Sequence, residues 1–309
     1  MTRIRPRATG LAAVLAGAAL LLAGCGEAGL DDGPGGERVL QEARSVNQSR
    51  HVAEHFESHP VVLDDEAGFT ACELFYPSSE VLILADETPA AQLRAASLAV
   101  VAHAPMLIYN SEHHAEVIRQ IERMSTHTVY TVGDVPVLGY TDKLKVIRDP
   151  GGREALEKAT ALGFAEKEVA DEKAAAEEVA VLRDGEPVWL RATYGPRQHV
   201  PEDAENGVVP VRSRQDAEMA PQVIALSNSS LASIATARAF GANVHVTDNP
   251  DPRVSHKTLL LTAGLSDLPL VALGDFGTSV ELGERIREAE AGVLPGELDN
   301  IASLPQVSD

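Results

Sequence analysis

Cysteine is scarce in this sequence, with two in 309 residues, and so is positive charge, with 26 Lys and Arg against 46 Asp and Glu. Two cysteines exclude a miniprotein built on disulfides. The charge deficit argues against a nucleic-acid partner, because affinity for nucleic acid comes largely from Lys and Arg neutralising phosphates. An anionic polymer would need a bridging cation or a local basic patch. No GxSxG, P-loop, CxxC or HExxH pattern occurs. The familiar signatures of nucleophilic hydrolysis, phosphate cradling, thiol exchange and zinc proteolysis are therefore missing. This weighs against an enzyme, and no catalytic residue, cofactor or metal site is expected. What is present is ordinary: 44% apolar and 23% charged residues, a composition that supports a proper core and excludes bulk disorder. The length suits two domains.

The N-terminus carries the most specific signal. Arg3, Arg5 and Arg7 precede an uninterrupted run of small and apolar residues, Gly10 to Leu22. That run is short for a permanent bilayer span and has the layout of a secretory signal. It ends in Leu22-Ala23-Gly24-Cys25, which resembles the lipobox of bacterial lipoproteins. The resemblance implies that residues 1–24 are removed and that Cys25 becomes the lipidated first residue. More than one acyl chain, of the palmitate type, would anchor the protein stably to the cell membrane on its extracytoplasmic face. Removing residues 1–24 takes the formal charge from −20 to −23. Residues 25–36, rich in Gly and Asp, read as a flexible tether. With Cys25 lipidated, Cys72 has no partner and reads as a small buried apolar residue.

Further along, apolar spacing predicts a helix from Glu37 to His59. Val81–Ala85, Met106–Tyr109 and Val129–Val132 are short apolar runs expected to form buried parallel strands. Between them lie helices from Pro89 to about Ala102 and, capped by Ser111, from Glu112 to about Met124. Gly133-Asp134 stops this series. A second series follows the same order: strand Val223–Leu226, helix Leu231–Phe240, strand Asn243–Val246, helix Arg253–Ala263, strand Leu270–Leu273, stop Gly274-Asp275. The two stops lie 141 positions apart. The middle predicts a strand at Leu144–Ile147, helices over Gly152–Leu162 and Lys167–Leu182, a strand at Pro187–Leu190 and a loop over Tyr194–Asn206. The fold class expected is α/β, with two Rossmann-like parallel-sheet units as tandem repeats. The division expected is a first unit with its N-terminal helix over 37–165, a connecting segment over 166–210 and a second unit over 211–309.

Val81 to Gly133 resembles the cell wall-binding repeat 2 family of Gram-positive surface proteins. Leu93 matches the leucine of that family's helix start, Leu98-Ala99 its Leu-Ala pair, Ala104-Pro105-Met106-Leu107 its turn and strand, and Val129-Tyr130-Thr131-Val132-Gly133 its stop. In the second series Leu231 and Gly241-Ala242 match the same pattern. Val146 to Arg153 loosely resembles the segment that joins family repeats. Departures are clear: the helix-start aspartate falls on Ala91 and Ser229, Asp134 and Asp275 replace the second stop glycine, and two repeats are legible, with at best a degenerate remnant in the middle, where the family usually has three. The resemblance implies an envelope protein that binds cell-wall polymer or a wall-assembly protein.

Several clusters have plainer readings. His51, His55 and His59 could share a helix face, but interleaved charges make that face solvated surface. His113-His114 reads the same way. Asp275-Phe276-Gly277 spells a kinase tripeptide without any other kinase motif. Ligands of parallel α/β sheets bind beyond the carboxyl ends of strands. Those ends here carry Asp86, Gly133, Asp134, Ser227, Asn228, Gly274 and Asp275, small polar residues suited to hydroxyl-rich sugars or simply to turns. The leading expectation is a lipid-anchored wall-binding protein; the alternatives are a substrate-binding lipoprotein of an importer and, less favoured, an envelope enzyme.

Overall fold

The computed structural model describes residues 35–136, 144–211 and 219–292. Residues 1–24, expected to be a signal segment, and Cys25 lie outside them. Strands β2 (Val81–Ala85), β3 (Met106–Ile108), β4 (Thr128–Val132) and β5 (Lys145–Arg148) form one parallel sheet in the order β3-β2-β4-β5. Strands β8 (Gln222–Leu226), β9 (Val244–Thr247) and β10 (Leu270–Leu273) repeat the first three in the order β9-β8-β10. Every residue of β2, β4, β8 and β10 is buried, which is why these strands read as continuous apolar runs rather than alternating ones. The expected Rossmann-like α/β architecture is present.

The edge next to β10 is filled from a distance. Strand β1 (Pro60–Leu63) pairs in parallel with β10, Pro60 opposite Leu270 and Leu63 opposite Leu273. It takes the place that β5 takes beside β4 in the first sheet. Helix α1 (Gly35–Gln48) packs on α8 (His256–Thr262), and Asn47 Nδ2 donates to the carbonyls of Leu260 and Ala263 at 2.9 Å. The N-terminal helix therefore sits on the second series, not on the first as the sequence order suggested. It also stops at Gln48, well before His59, so His51, His55 and His59 do not share a helix face.

A third strand-helix-strand unit lies in the middle. Strand β6 (Ala165–Val169), helix α6 (Glu172–Ala180) and strand β7 (Val188–Ala192) form it, with β6 and β7 paired in parallel. The single helix expected over Lys167–Leu182 is thus a strand followed by a helix. Four of the five β6 residues are exposed, so the strand left no apolar signature. Asp171 marks the helix start, its carboxylate accepting the N–H of Ala174 at 2.9 Å.

Helices α3 (Pro89–Ala102), α6 and α7 (Leu231–Phe240) pack on one another. Each also lies against the second strand of another unit: α3 on β7, α7 on β3 and α6 on β9. The three units thus close in a ring, each using its helix to cover a neighbour. This requires helices buried nearly all round, and α3 and α7 are rich in small apolar residues on every side. Hydroxyls stitch the joints. Ser97 accepts the N–H of Leu190 at 2.9 Å, and Thr236 accepts the N–H of Met106 at 3.0 Å while donating to its carbonyl.

Helices α3 and α7 end alike. His103 and Gly241 both adopt left-handed backbone, with φ of 52° and 110°, and return their N–H groups to the preceding turn. Counted back from these caps, Leu93 and Leu231 are equivalent. Leu93, however, lies inside α3, whereas Leu231 is the first residue of α7. The second unit has lost the first turn of its helix, and Ser227–Ser230 run there as a loop. Helix α4 (His114–Arg123) follows a short 3-10 turn at Ser111–His113, and Asn110 caps that turn through its side chain in place of the expected Ser111.

Candidate functional site at the strand ends

That loop opens a cavity of about 480 Å³. Its walls come from the carboxyl ends of β1, β8 and β10, the loop before α3, the start of α6, and Tyr194 after β7. Four of the seven strand-end residues singled out from the sequence line it: Ser227, Asn228, Gly274 and Asp275. Asn228 and Asp275 are exposed, Ser227 and Gly274 half-buried.

The other three do not reach it. Asp86 is buried, and both its carboxylate oxygens are engaged. Oδ1 accepts from the N–H of Thr88 at 2.8 Å and from its hydroxyl at 2.5 Å, and Oδ2 accepts the N–H of Asp134 at 2.8 Å. Gly133 has φ of 87°, and a Cβ there would collide with that carboxylate. Asp134 is exposed beside Tyr109, whose hydroxyl lies 3.1 Å from His114 Nδ1. Burial first, and then the Asp134 charge, push the Tyr109 phenol above its ordinary range.

The second unit uses the same device with another side chain. Ser229 accepts the N–H of Leu226 at 2.8 Å and donates to the carbonyl of Leu273 at 2.6 Å, joining β8 to β10. A Cβ on Gly274 would meet its hydroxyl at 2.6 Å, and φ there is 102°. Both stop glycines are therefore required twice over, by left-handed backbone and by a close polar neighbour. Asp275-Phe276-Gly277 is a turn: Phe276 is buried in the core and the N–H of Gly277 reaches Asp275 Oδ1 at 3.3 Å.

The cavity is strongly acidic. Asp64, Asp65, Glu66, Glu87, Glu172 and Asp275 line it, with no Lys, Arg or His. Asp65 is occupied in capping α2 (Phe69–Phe75), accepting the N–H groups of Gly68 at 2.9 Å and Thr70 at 2.7 Å. Glu87 takes Asn110 Nδ2 at 3.2 Å. The Tyr194 phenol is pushed up by burial and then by the charges of Glu172 and Asp171. Hydroxyl, carboxamide and carboxylate groups facing one space can bind a polyhydroxylated chain, and they repel an anionic one. Among the described residues no group of three or more His, Cys, Asp or Glu is placed to hold a metal ion.

The sequence missed the acidic contribution of β1 and α6. Val61-Val62-Leu63 followed by Asp64-Asp65-Glu66 has the form of the other strand ends, an apolar run closed by polar residues, and could have been found that way. Glu172 lay hidden in the stretch expected to be one long helix.

No family model matches the chain, and no curated protein matches it. Among solved structures it is similar to one described as the crystal structure of CmiS6, at 11% identity and a TM-score of 0.21. That match covers 79% of this chain and 62% of the other, so the chain spans about three fifths of that protein's length. Among the described residues no helix is long and apolar enough to cross a membrane.

Proposed function

We propose that this is a lipid-anchored envelope protein that holds cell-wall polymer, or a wall-assembly protein, through the strand-end cavity. The observation that carries the reading is the gathering of Ser227, Asn228, Gly274 and Asp275 around one space at the carboxyl ends of parallel strands. The N-terminal arginines, apolar run and Cys25 support the envelope location, and the likeness of Val81–Gly133 to wall-binding repeats supports the ligand class. The absence of any base from the lining favours a neutral, hydroxyl-rich chain over a teichoic-type one. Binding of that kind depends little on salt, since it does not rest on long-range attraction.

The test is retention of the full-length protein, in detergent, on purified wall with and without its secondary polymers. The combined replacement Ser227→Ala, Asn228→Ala and Asp275→Ala lowers retention while leaving the melting curve native. Unchanged retention in that variant overturns the assignment of the cavity.

A second reading has one observation in its favour. The chain passes from β1 in one four-stranded sheet to β2 in the other and returns at β8, and such crossings are usual in importer lipoproteins with two lobes. Direct packing of α3 on α7 speaks against it, because it leaves no open hinge between lobes. Saturable binding of a small molecule in the absence of wall would favour the importer.

A further inference from the structure

Tyr194 also lines a second cavity, a groove of about 530 Å³ shared with Trp189, Arg191, Arg197 and Gln198. Its chemistry is the reverse of the first. Two arginines line it and no carboxylate does, in a chain whose acids outnumber its bases by 20.

The floor of the groove is rigid. Arg94 is buried in α3 and carries its guanidinium 5.0 Å from the Trp189 ring centroid. Asp149 clamps Arg94 in two bonds, at 2.6 Å from Nε and 2.8 Å from Nη2. The same carboxylate accepts the Tyr130 hydroxyl at 2.8 Å and Gln198 Nε2 at 2.8 Å. One buried carboxylate therefore fixes both the indole, through Arg94, and the Gln198 carboxamide, whose Oε1 stays available to a hydroxyl. Side chains locked in this way bind without losing rotamer freedom. The rim is open to solvent by comparison. Arg191 lies over the same indole at 5.2 Å and pairs with Glu166 at 3.0 Å, its side chain 46% exposed. Arg197 is exposed and has no charged partner among the described residues.

A phenol ring and two guanidiniums lining one groove suit one class of ligand. The apolar C–H face of a pyranose packs on an aromatic ring, and a planar guanidinium binds carboxylate or phosphate through two parallel hydrogen bonds. We propose that this groove is a separate binding site for an anionic pyranose, a uronate or a sugar phosphate. Tyr194 takes the ring, Gln198 a hydroxyl, and Arg191 and Arg197 the anion, while Trp189, already faced by Arg94 and Arg191, holds Arg191 in place and senses its engagement. The site shares no predicted strand-end residue with the first cavity, so its test is independent of wall retention.

Trp189 is the sole tryptophan of the chain, so indole emission, excited selectively over the five tyrosines, reports on this groove alone. The full-length protein is titrated with glucuronate, glucose 6-phosphate, glucose and inorganic phosphate, by emission and by calorimetry. At least one of the two anionic sugars gives a saturable change that weakens with salt, and the preference between them names the anion. Glucose and phosphate alone bind weaker by about tenfold or more. Arg191→Gln with Arg197→Gln weakens the anionic sugar by about tenfold or more at an unchanged melting temperature. Should that pair unfold the protein, Arg197→Gln alone weakens binding, since Arg197 makes no ion pair among the described residues. The strand-end triple variant leaves these titrations unchanged. Absence of saturable emission change and heat with both anionic sugars overturns the proposal. So does equal affinity for glucose or for phosphate alone, or unaltered affinity in the arginine variants.

Discussion

The carboxylate of Asp86 accepts the backbone N–H of Asp134 at 2.8 Å, so two strand-end residues that looked like ligand hooks hold each other. Asp86 closes the end of the first sheet by tying the loop after β2 to the stop after β4. Both of its oxygens are already engaged, and it does not line the cavity.

Asp86→Ala therefore destabilises the protein, by about 1–3 kcal/mol for the backbone donors it strands, and leaves retention on wall per folded molecule unchanged. Gly133→Ala is worse, because it adds backbone strain to a collision with that carboxylate. Denaturant melts of the two single variants check this. Loss of retention by native Asp86→Ala would return the residue to the site.

Asp149 is fully buried and holds Arg94, Tyr130 and Gln198 together. Removing one partner of a buried ion pair leaves the other charge without compensation, at a cost of about 3–5 kcal/mol. Asp149→Ala is expected to fall in that range by chemical denaturation, and the emission of Trp189 to shift as Arg94 loses its clamp. Replacing Arg94 and Asp149 together with apolar residues costs less than the two single changes added.

His245 in β9 faces Arg50, Arg238 and Lys257, and burial ahead of those charges lowers its pKa to about 4. An unfolded histidine titrates near 6.5. Between those values the unfolded chain binds the extra proton, so stability is whole above about pH 6.5 and falls as pH drops toward 4, by up to about 3 kcal/mol. The carboxylates titrate in part of the same window. The measure is thus the difference between wild type and His245→Leu in melts at pH 7 and about pH 4.5, the variant losing less stability on acidification. Parallel losses would mean that His245 is not the group responsible.

The two cysteines are expected to behave oppositely. The Cys25 thiol is expected to carry lipid, and Cys25→Ser leaves unprocessed or mislocalised precursor; a mature N-terminus elsewhere in the mass spectrum would end that reading. Cys72 is buried in α2 and desolvation pushes its thiol up to about 12, so it stays unreactive to thiol reagents until the protein unfolds.

The local elements were legible because their signals are local. Thr88-Pro89 starts α3, Gly241 stops α7, and the apolar runs at Val81–Ala85 and Leu270–Leu273 are strands buried on both faces. The equivalence of Leu93 with Leu231 followed from spacing, and so did the paired stops. Strand β6 was not legible, since its exposed Glu and Lys residues carry no periodicity and borrow their order from β7. Nor was the partner of β1: parallel pairing joins residues some 210 positions apart, Pro60 to Leu270, and no spacing in the sequence encodes it. Which strand-end residues face a common space was decided at the same level. Asp86 and Ser229 look alike as short polar turn residues, yet the packing of three units around α3, α6 and α7 turns both inward onto glycines. The same packing, together with the missing first turn of α7, leaves Ser227, Asn228 and Asp275 at an opening. The sequence determined the elements and their polar ends, through forces that act within a few residues. Only the tertiary structure decided which of those ends meet, because long-range strand pairing and helix packing are set by the complementarity of whole surfaces.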